Sequence, residues 1–187
     1  KIKLVISELT SVSIVERLQN DEIDAGILAT PAGNQPLIEY PAYQEEFVLY
    51  GQFNSDVNIP VSISDLDPSQ LWLLEEGHCL RMQVVNLCDL RNRHEKLHPN
   101  LEYQAGSLES IRRLVDSNGG YTVLPALATY DMTDEQRKQI RYFKSPSPAR
   151  QISVVALRPW SRKRYIELLV SEIQAAVGQR SIICNTD

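Results

Sequence analysis

Residues 75–91 read EEGHCLRMQVVNLCDLR, placing two thiols, Cys79 and Cys88, nine positions apart in a run of helical propensity. A cysteine can ligate a metal, attack an electrophile or be oxidised, and in each case the reacting species is the thiolate. Cys79 falls where the expected helix begins. Unsatisfied N–H groups there favour the ionised form, with His78 beside it and Arg81 in the first turn. Cys88 sits inside the apolar QVVNLC run and has no such help. Cys79 is therefore the expected attacking thiol.

Spacing decides what the pair can do. On one continuous helix, nine residues give roughly 13.5 Å of rise and about 900° of rotation, so the two thiols point to opposite sides. A disulfide needs Cα atoms about 4.4 to 6.8 Å apart. Forming one would break the helix or the loop after it, and would turn oxidation into a change of backbone. Closing a loop of this length stabilises the rearranged form by about 2.5 to 3 kcal/mol over an uncrosslinked chain, offset by the packing lost. Each ~1.4 kcal/mol of strain raises the reduction potential by about 30 mV, which keeps such a bond reducible by cytosolic thiols. The competing reading of the same residues is a pair of inert, buried cysteines.

A second constellation, His94-Glu95-Lys96-Leu97-His98, matches the H-E-x-x-H pattern in which two histidines on one helical face hold zinc. Pro99 follows at once and would end the helix, no third histidine follows at a ligand spacing, and RNRHEKLHPN is as polar as a solvated loop. No metal site and no cofactor are expected. Cys184, in the terminal IICNTD, reads as a bystander.

The elements that must position these groups follow from composition and pattern. The 187 residues, 43% of them hydrophobic, can bury a core as one large domain or two lobes. Three cysteines are too few for a secreted disulfide scaffold, and an odd number leaves at least one unpaired, so a reducing, cytoplasmic setting is expected. No apolar run approaches the length of a membrane span, and no membrane partner is expected. The opening KIKLVISELT has neither a signal region nor an initiating Met and reads as a fragment. A net charge of −5 argues against a large phosphate-binding surface, whatever the local basicity of RPWSRKR at 158–164.

β-type and helical runs alternate: KLVISEL, SIVERLQ, DAGILAT, then the extended LIEYPAYQEEFVLYGQF, a turn-prone SISDLDPSQ, and LWLLEEG as a buried strand. The alternation predicts an α/β protein with a parallel sheet covered by helices. LEYQAG reads as a strand. SLESIRRLVDSNG reads as a helix capped by Ser107 and stopped by Gly119, with Ile111, Leu114 and Val115 on one face. YTVLPAL is a strand, MTDEQRKQIRYF a short helix capped by Thr133, and RQISVVALR another strand. In the final helix Tyr165, Leu168, Leu169, Ile173 and Val177 are expected to share the buried face. KSPSPAR at 144–150 is the candidate hinge.

Three stretches carry a family resemblance. SELTSVSIVERLQNDEIDAGIL resembles the opening of the effector domain of LysR-type transcriptional regulators, SLESIRRLVDSNGGYTVLP a second block of that family, and GHCLRMQVVNLC the redox stretch of its peroxide-sensing branch. The resemblance covers nearly the whole chain and implies a type 2 periplasmic binding fold: two periplasmic-binding-protein-like lobes joined by two crossover strands. Lobe I would hold residues 1–42 plus 151–187, and the redox-active lobe II residues 43–150. The family's domain normally begins one strand and one helix earlier, and loss of that unit would leave apolar surface exposed in lobe I. Its DNA-binding winged helix-turn-helix and linker helix lie outside this chain.

The resemblance implies a regulator of hydrogen peroxide response that is not an enzyme. Cys79 would be the peroxidatic thiol and Cys88 the resolving one, joining through a sulfenic acid in a reversible Cys79–Cys88 disulfide. Arg150 and His78 would assist, and Thr10, Ser11, Leu80 and Arg81 would hold the peroxide. Met82 stands where an acidic residue is common in the family. Thr10 and Ser11 read equally well as a helix cap, and Arg150 as a charge at the hinge edge. The implied partners are hydrogen peroxide, further copies of the chain as a homodimer or tetramer, and DNA and RNA polymerase only through the full-length protein. Two other classes compete: an effector domain binding a small organic ligand between the lobes, with the cysteines incidental, and a thiol peroxidase, which sustained turnover with a reductant would reveal.

Overall fold

A computed structural model of the chain describes residues 3–32, 36–53, 59–74, 79–88, 106–157 and 163–184. In chain order the elements are α1 (Ser11–Gln19), β1 (Gly26–Thr30), β2 (Ile38–Gly51), α2 (Cys79–Leu87), α3 (Leu108–Asn118), β3 (Tyr121–Pro125), α4 (Asp134–Arg137), β4 (Ile140–Tyr142), β5 (Ala149–Ala156) and α5 (Lys163–Cys184). They fall into two compact units, Lys1–Tyr43 with Gln151–Asp187, and Gln44–Arg150.

In the first unit β1 pairs antiparallel with β5, from Gly26 opposite Val155 to Thr30 opposite Gln151. Successive strand residues face opposite sides of a sheet. Val155 accordingly joins Leu28 and Leu18 of α1 in one cluster, while Val154 and Ala156 join Ile166 of α5 in another. A Cβ at Gly26 would stand 2.3 Å from Ile14 Cγ2, an approach of helix to strand that only glycine allows. Thr30 and Ser153, both buried, satisfy each other's hydroxyls at 2.8 Å.

In the second unit the buried half of β2 is the central strand. It pairs antiparallel with β3 on one side, Phe47 opposite Pro125 through Gly51 opposite Tyr121, and with β4 on the other. Ile111 and Val115 of α3 pack into the core beside Leu80 and Val84 of α2 and Cys88 just past its end. Ser107 caps α3, its hydroxyl accepting from Ser110 N at 3.1 Å, and Gly119 ends it at φ +73°. Trp72 Nε1 donates to the Gly119 carbonyl at 2.8 Å, and Thr122 Oγ1 to the Trp72 carbonyl at 2.9 Å. Tyr50 is wholly buried with its hydroxyl donating to Asp116 Oδ1 at 2.6 Å. Burial first, then this carboxylate, pushes the Tyr50 phenol well above its ordinary range.

Five expectations change. Only Asp134–Arg137 of MTDEQRKQIRYF is helical, and Ile140–Tyr142 form β4, because β2 takes their backbone groups in an antiparallel ladder. The extended ladders among the described residues are antiparallel, and parallel pairing is limited to the isolated bridges Val61 to Phe143 and Leu71 to Tyr121. Alternating run types do not fix which strands become neighbours. The KLVISEL run forms no strand: residues 3–9 join no ladder among the described residues and Leu4, Val5 and Ile6 are exposed, because β-type side chains hold a strand only when a neighbour takes their backbone groups. LWLLEEG contributes buried Leu71, Trp72 and Leu74 through bridges rather than a strand, with residues 75–77 outside the described set. On α5 the buried side centres on Ile166, with Leu169, Val170 and Ile173 against it, while Tyr165 and Leu168 are exposed. The core stripe is rotated because Ile166 and Val170, one turn apart, take the places assigned to Tyr165 and Leu168. LEYQAG up to residue 105 and the HEKLH motif lie outside the described residues.

Candidate functional site: helix α2 and its buried ion pair

Helix α2 starts at Cys79 and runs unbroken to Leu87, and the Cys88 amide still donates to the Val84 carbonyl at 2.9 Å. Both cysteine positions therefore lie on one helical path, whose nine steps span roughly 13.5 Å along the axis. Leu80, Val84 and Cys88 recur every four residues and form the buried face. Cys88, a thiol, is 4% exposed. Its burial has a plain cause: it extends an apolar stripe into the core of Phe47, Leu49 and Leu74.

Side-chain hydrogen bonds fasten the helix at two points. Arg81 Nη1 donates to the Leu74 carbonyl at 2.8 Å, fixing the first turn to the segment that precedes it. One turn beyond Cys79, Gln83 Oε1 accepts from Arg150 Nη1 at 3.1 Å. Arg150 also donates through Nε and Nη2 to one oxygen of Glu45, at 2.8 and 2.7 Å, and its guanidinium lies over the Phe47 ring, 5.7 Å from the centroid. Glu45 is only 5% exposed, and the Arg150 side chain 16%. A carboxylate this buried requires a hydrogen-bonded cation, and Arg150 supplies it.

Of the expected site residues, the structure brings Arg150 against α2, together with Leu80, Arg81 and Cys88. Leu80 directs its side chain into the core. Thr10 and Ser11 belong to the other unit. The Thr10 hydroxyl caps α1, accepting from Ser13 N at 3.2 Å and donating to Ser13 Oγ at 3.0 Å, and Ser11 opens the helix. Met82 is exposed. His78 lies outside the described residues.

Sequence reasoning missed Glu45 and Gln83. The signal for Glu45 was present: in QEEFVLYG it has the same strand parity as buried Phe47 and Leu49, so a charge at a core position called for a partner. Gln83 had only its four-residue spacing from Cys79.

The arrangement of elements and the sequence together define a class. Residues 1–178 match the LysR substrate binding domain, and the chain belongs to that family, with its type 2 periplasmic-binding-like α/β fold. Among relatives, it is 30% identical over 172 residues to the hydrogen peroxide-inducible genes activator of Haemophilus influenzae, spanning 88% of this chain and 54% of that protein. It is 32% identical over 174 residues to the DNA-binding transcriptional dual regulator OxyR of Escherichia coli K12, over 90% of this chain and 55% of that one. A crystal structure of an OxyR mutant from Porphyromonas gingivalis superposes with a TM-score of 0.78 at 28% identity, covering 94% of this chain and 80% of that one. The chain thus spans about half the length of the curated relatives it matches. No helix among the described residues is long and apolar enough to cross a membrane.

Proposed function

We propose that this chain is the regulatory part of a hydrogen-peroxide-sensing LysR-type transcription regulator, acting through a reversible disulfide between Cys79 and Cys88. The Cys79 thiolate attacks one oxygen of hydrogen peroxide. The O–O bond breaks, hydroxide leaves and takes a proton to become water, and Cys79 becomes a sulfenic acid. Cys88 then gives up its proton and its thiolate attacks the sulfenic sulfur, closing the S–S bond and expelling hydroxide, which takes that proton to become the second water. One peroxide is reduced to two waters and two thiols are oxidised to one disulfide, so a single stoichiometric event carries the signal and no turnover is needed.

The observation that carries this reading is the unbroken path from Cys79 to Cys88 with Cys88 in the core. The covalent bond is incompatible with that helix, so its formation forces α2 to refold. Supporting it, relatives that align over about nine tenths of the chain are named hydrogen peroxide-inducible genes activators. Arg150 carries the cation that polarises the departing oxygen, with Arg81, two residues beyond Cys79, as a second positive charge of the same unit. The refolding is read by neighbouring copies in a homodimer or tetramer. In the full-length cytoplasmic protein it passes to DNA and RNA polymerase, with no membrane partner.

Mass spectrometry after sub-stoichiometric peroxide tests the proposal. A linked peptide pair containing Cys79 and Cys88, two hydrogens lighter than the separate peptides and restored by dithiothreitol, is expected. Both peptides remaining as thiols would remove the sensor reading and leave a small-ligand effector domain.

A further inference from the structure

Glu45, Arg150 and Gln83 form a relay across β2, β5 and α2 with no part in the electron bookkeeping of the thiol chemistry. Glu45 binds the guanidinium through two of its nitrogens, which leaves the Nη1 edge turned to α2, where it meets Gln83. Phe47, itself 4% exposed, backs the guanidinium. A hydrogen bond from a charged donor is stronger than a neutral one, and its geometry is pinned by the buried carboxylate behind it. Positions 79 and 83 stand one turn apart on α2, so the contact grips the helix next to the thiol that must move.

We propose that Glu45 and Gln83 are positioning residues for the thiol switch: Glu45 orients Arg150, and Arg150, through Gln83, latches α2 in the helical form that the dithiol state requires. The proposal rests on the disulfide reading and adds the element that sets how readily the helix lets go. Arg150 thereby serves two steps, its charge in peroxide reduction and its grip on Gln83 in the refolding that follows. The disulfide step proceeds only when the Arg150 to Gln83 bond breaks, so this bond sets the rate of the peroxide-independent phase.

The test follows oxidation of the chain at high peroxide, where disulfide closure is a first-order phase separate from the peroxide-dependent formation of sulfenic acid. Gln83→Leu removes the acceptor, and closure is expected to accelerate about tenfold, the size of one hydrogen bond to a charged donor. Gln83→Glu keeps an acceptor for Nη1 and is expected to hold closure at or below the parent rate, a rescue that a general packing defect would not show. Glu45→Gln is expected to accelerate closure in the same direction, and the Glu45→Gln/Gln83→Leu double variant to be no faster than Gln83→Leu alone, because both cut one relay. Amide exchange in the thiol form gives an independent reading: Gln83→Leu speeds exchange in α2 and leaves β3 and α3 unchanged. Equal closure rates in parent, Gln83→Leu and Gln83→Glu would overturn the latch while the disulfide reading stands. Absence of a closure phase in the parent would overturn the disulfide reading itself.

Discussion

Val84 offers a way to weigh the two forms of the switch against each other. It is 2% exposed and shares the buried face of α2 with Leu80 and Cys88. Val84→Ala deletes two buried methyl groups, and at about 0.8 kcal/mol per buried carbon plus the cavity left behind the dithiol form loses about 1.5 to 2.5 kcal/mol. If disulfide formation pulls α2 out of the core, the same substitution costs little in the oxidised form. Reduction then becomes less favourable by the difference, and at about 30 mV per 1.4 kcal/mol the potential falls by about 30 to 55 mV, to more negative values. Equilibration against dithiothreitol or glutathione buffers with thiol trapping reads this directly. Asn86→Ala, on the exposed side of the same helix, serves as the control with no expected shift. An unchanged potential in Val84→Ala, alongside the expected loss of stability in urea, would mean that Val84 stays equally packed in both forms. The reasoning would then fail.

Other consequences concern the scaffold. Removing one partner of the buried Glu45–Arg150 pair, by Glu45→Leu or Arg150→Met, is expected to cost about 3 to 5 kcal/mol in urea denaturation, whereas the double variant costs much less. Additive single effects would show that the pair is not coupled. Tyr50→Phe should cost about 1 to 2 kcal/mol by leaving Asp116 without its donor. Because the folded Tyr50 holds its proton more tightly than the unfolded one, its contribution is complete below pH ~10, the ordinary tyrosine value, and fades only as pH rises toward its raised folded value. The alkaline slope of stability should therefore shrink in Tyr50→Phe, and an identical slope would reject the assignment. Gly120→Ala should destabilise by about 1 to 3 kcal/mol or more, since φ is +77° and the new Cβ would stand 2.5 Å from the Gln70 carbonyl oxygen. A melting temperature equal to the parent's would contradict this.

What could be read from sequence follows a physical division. Local devices were legible: Ser107 and Gly119 bounding α3, Thr133 capping α4, and the YTVLP run of β3 each depend on residues close in sequence. The path of α2 through both cysteine positions was legible for the same reason. Strand direction was not, because it depends on which distant run becomes a neighbour, and KLVISEL has β-type residues without a partner strand among the described residues. The face of α5 was misjudged because Tyr165 and Ile166 are adjacent and both apolar, so pattern alone could not choose between them. At the site, the cysteines announced themselves by chemistry and spacing. The Glu45 to Arg150 to Gln83 relay spans 105 positions between its first two members, a distance no local motif records.

The central claim is that one sulfur bridge cannot coexist with the helix that separates its two ends. Amide exchange of the chain before and after stoichiometric peroxide, with disulfide formation verified in the same samples, tests it most directly. The account predicts that protection across residues 80–88 collapses on oxidation and returns with dithiothreitol, while β3 and α3 keep theirs. A fully formed Cys79–Cys88 disulfide with α2 protection intact would contradict it.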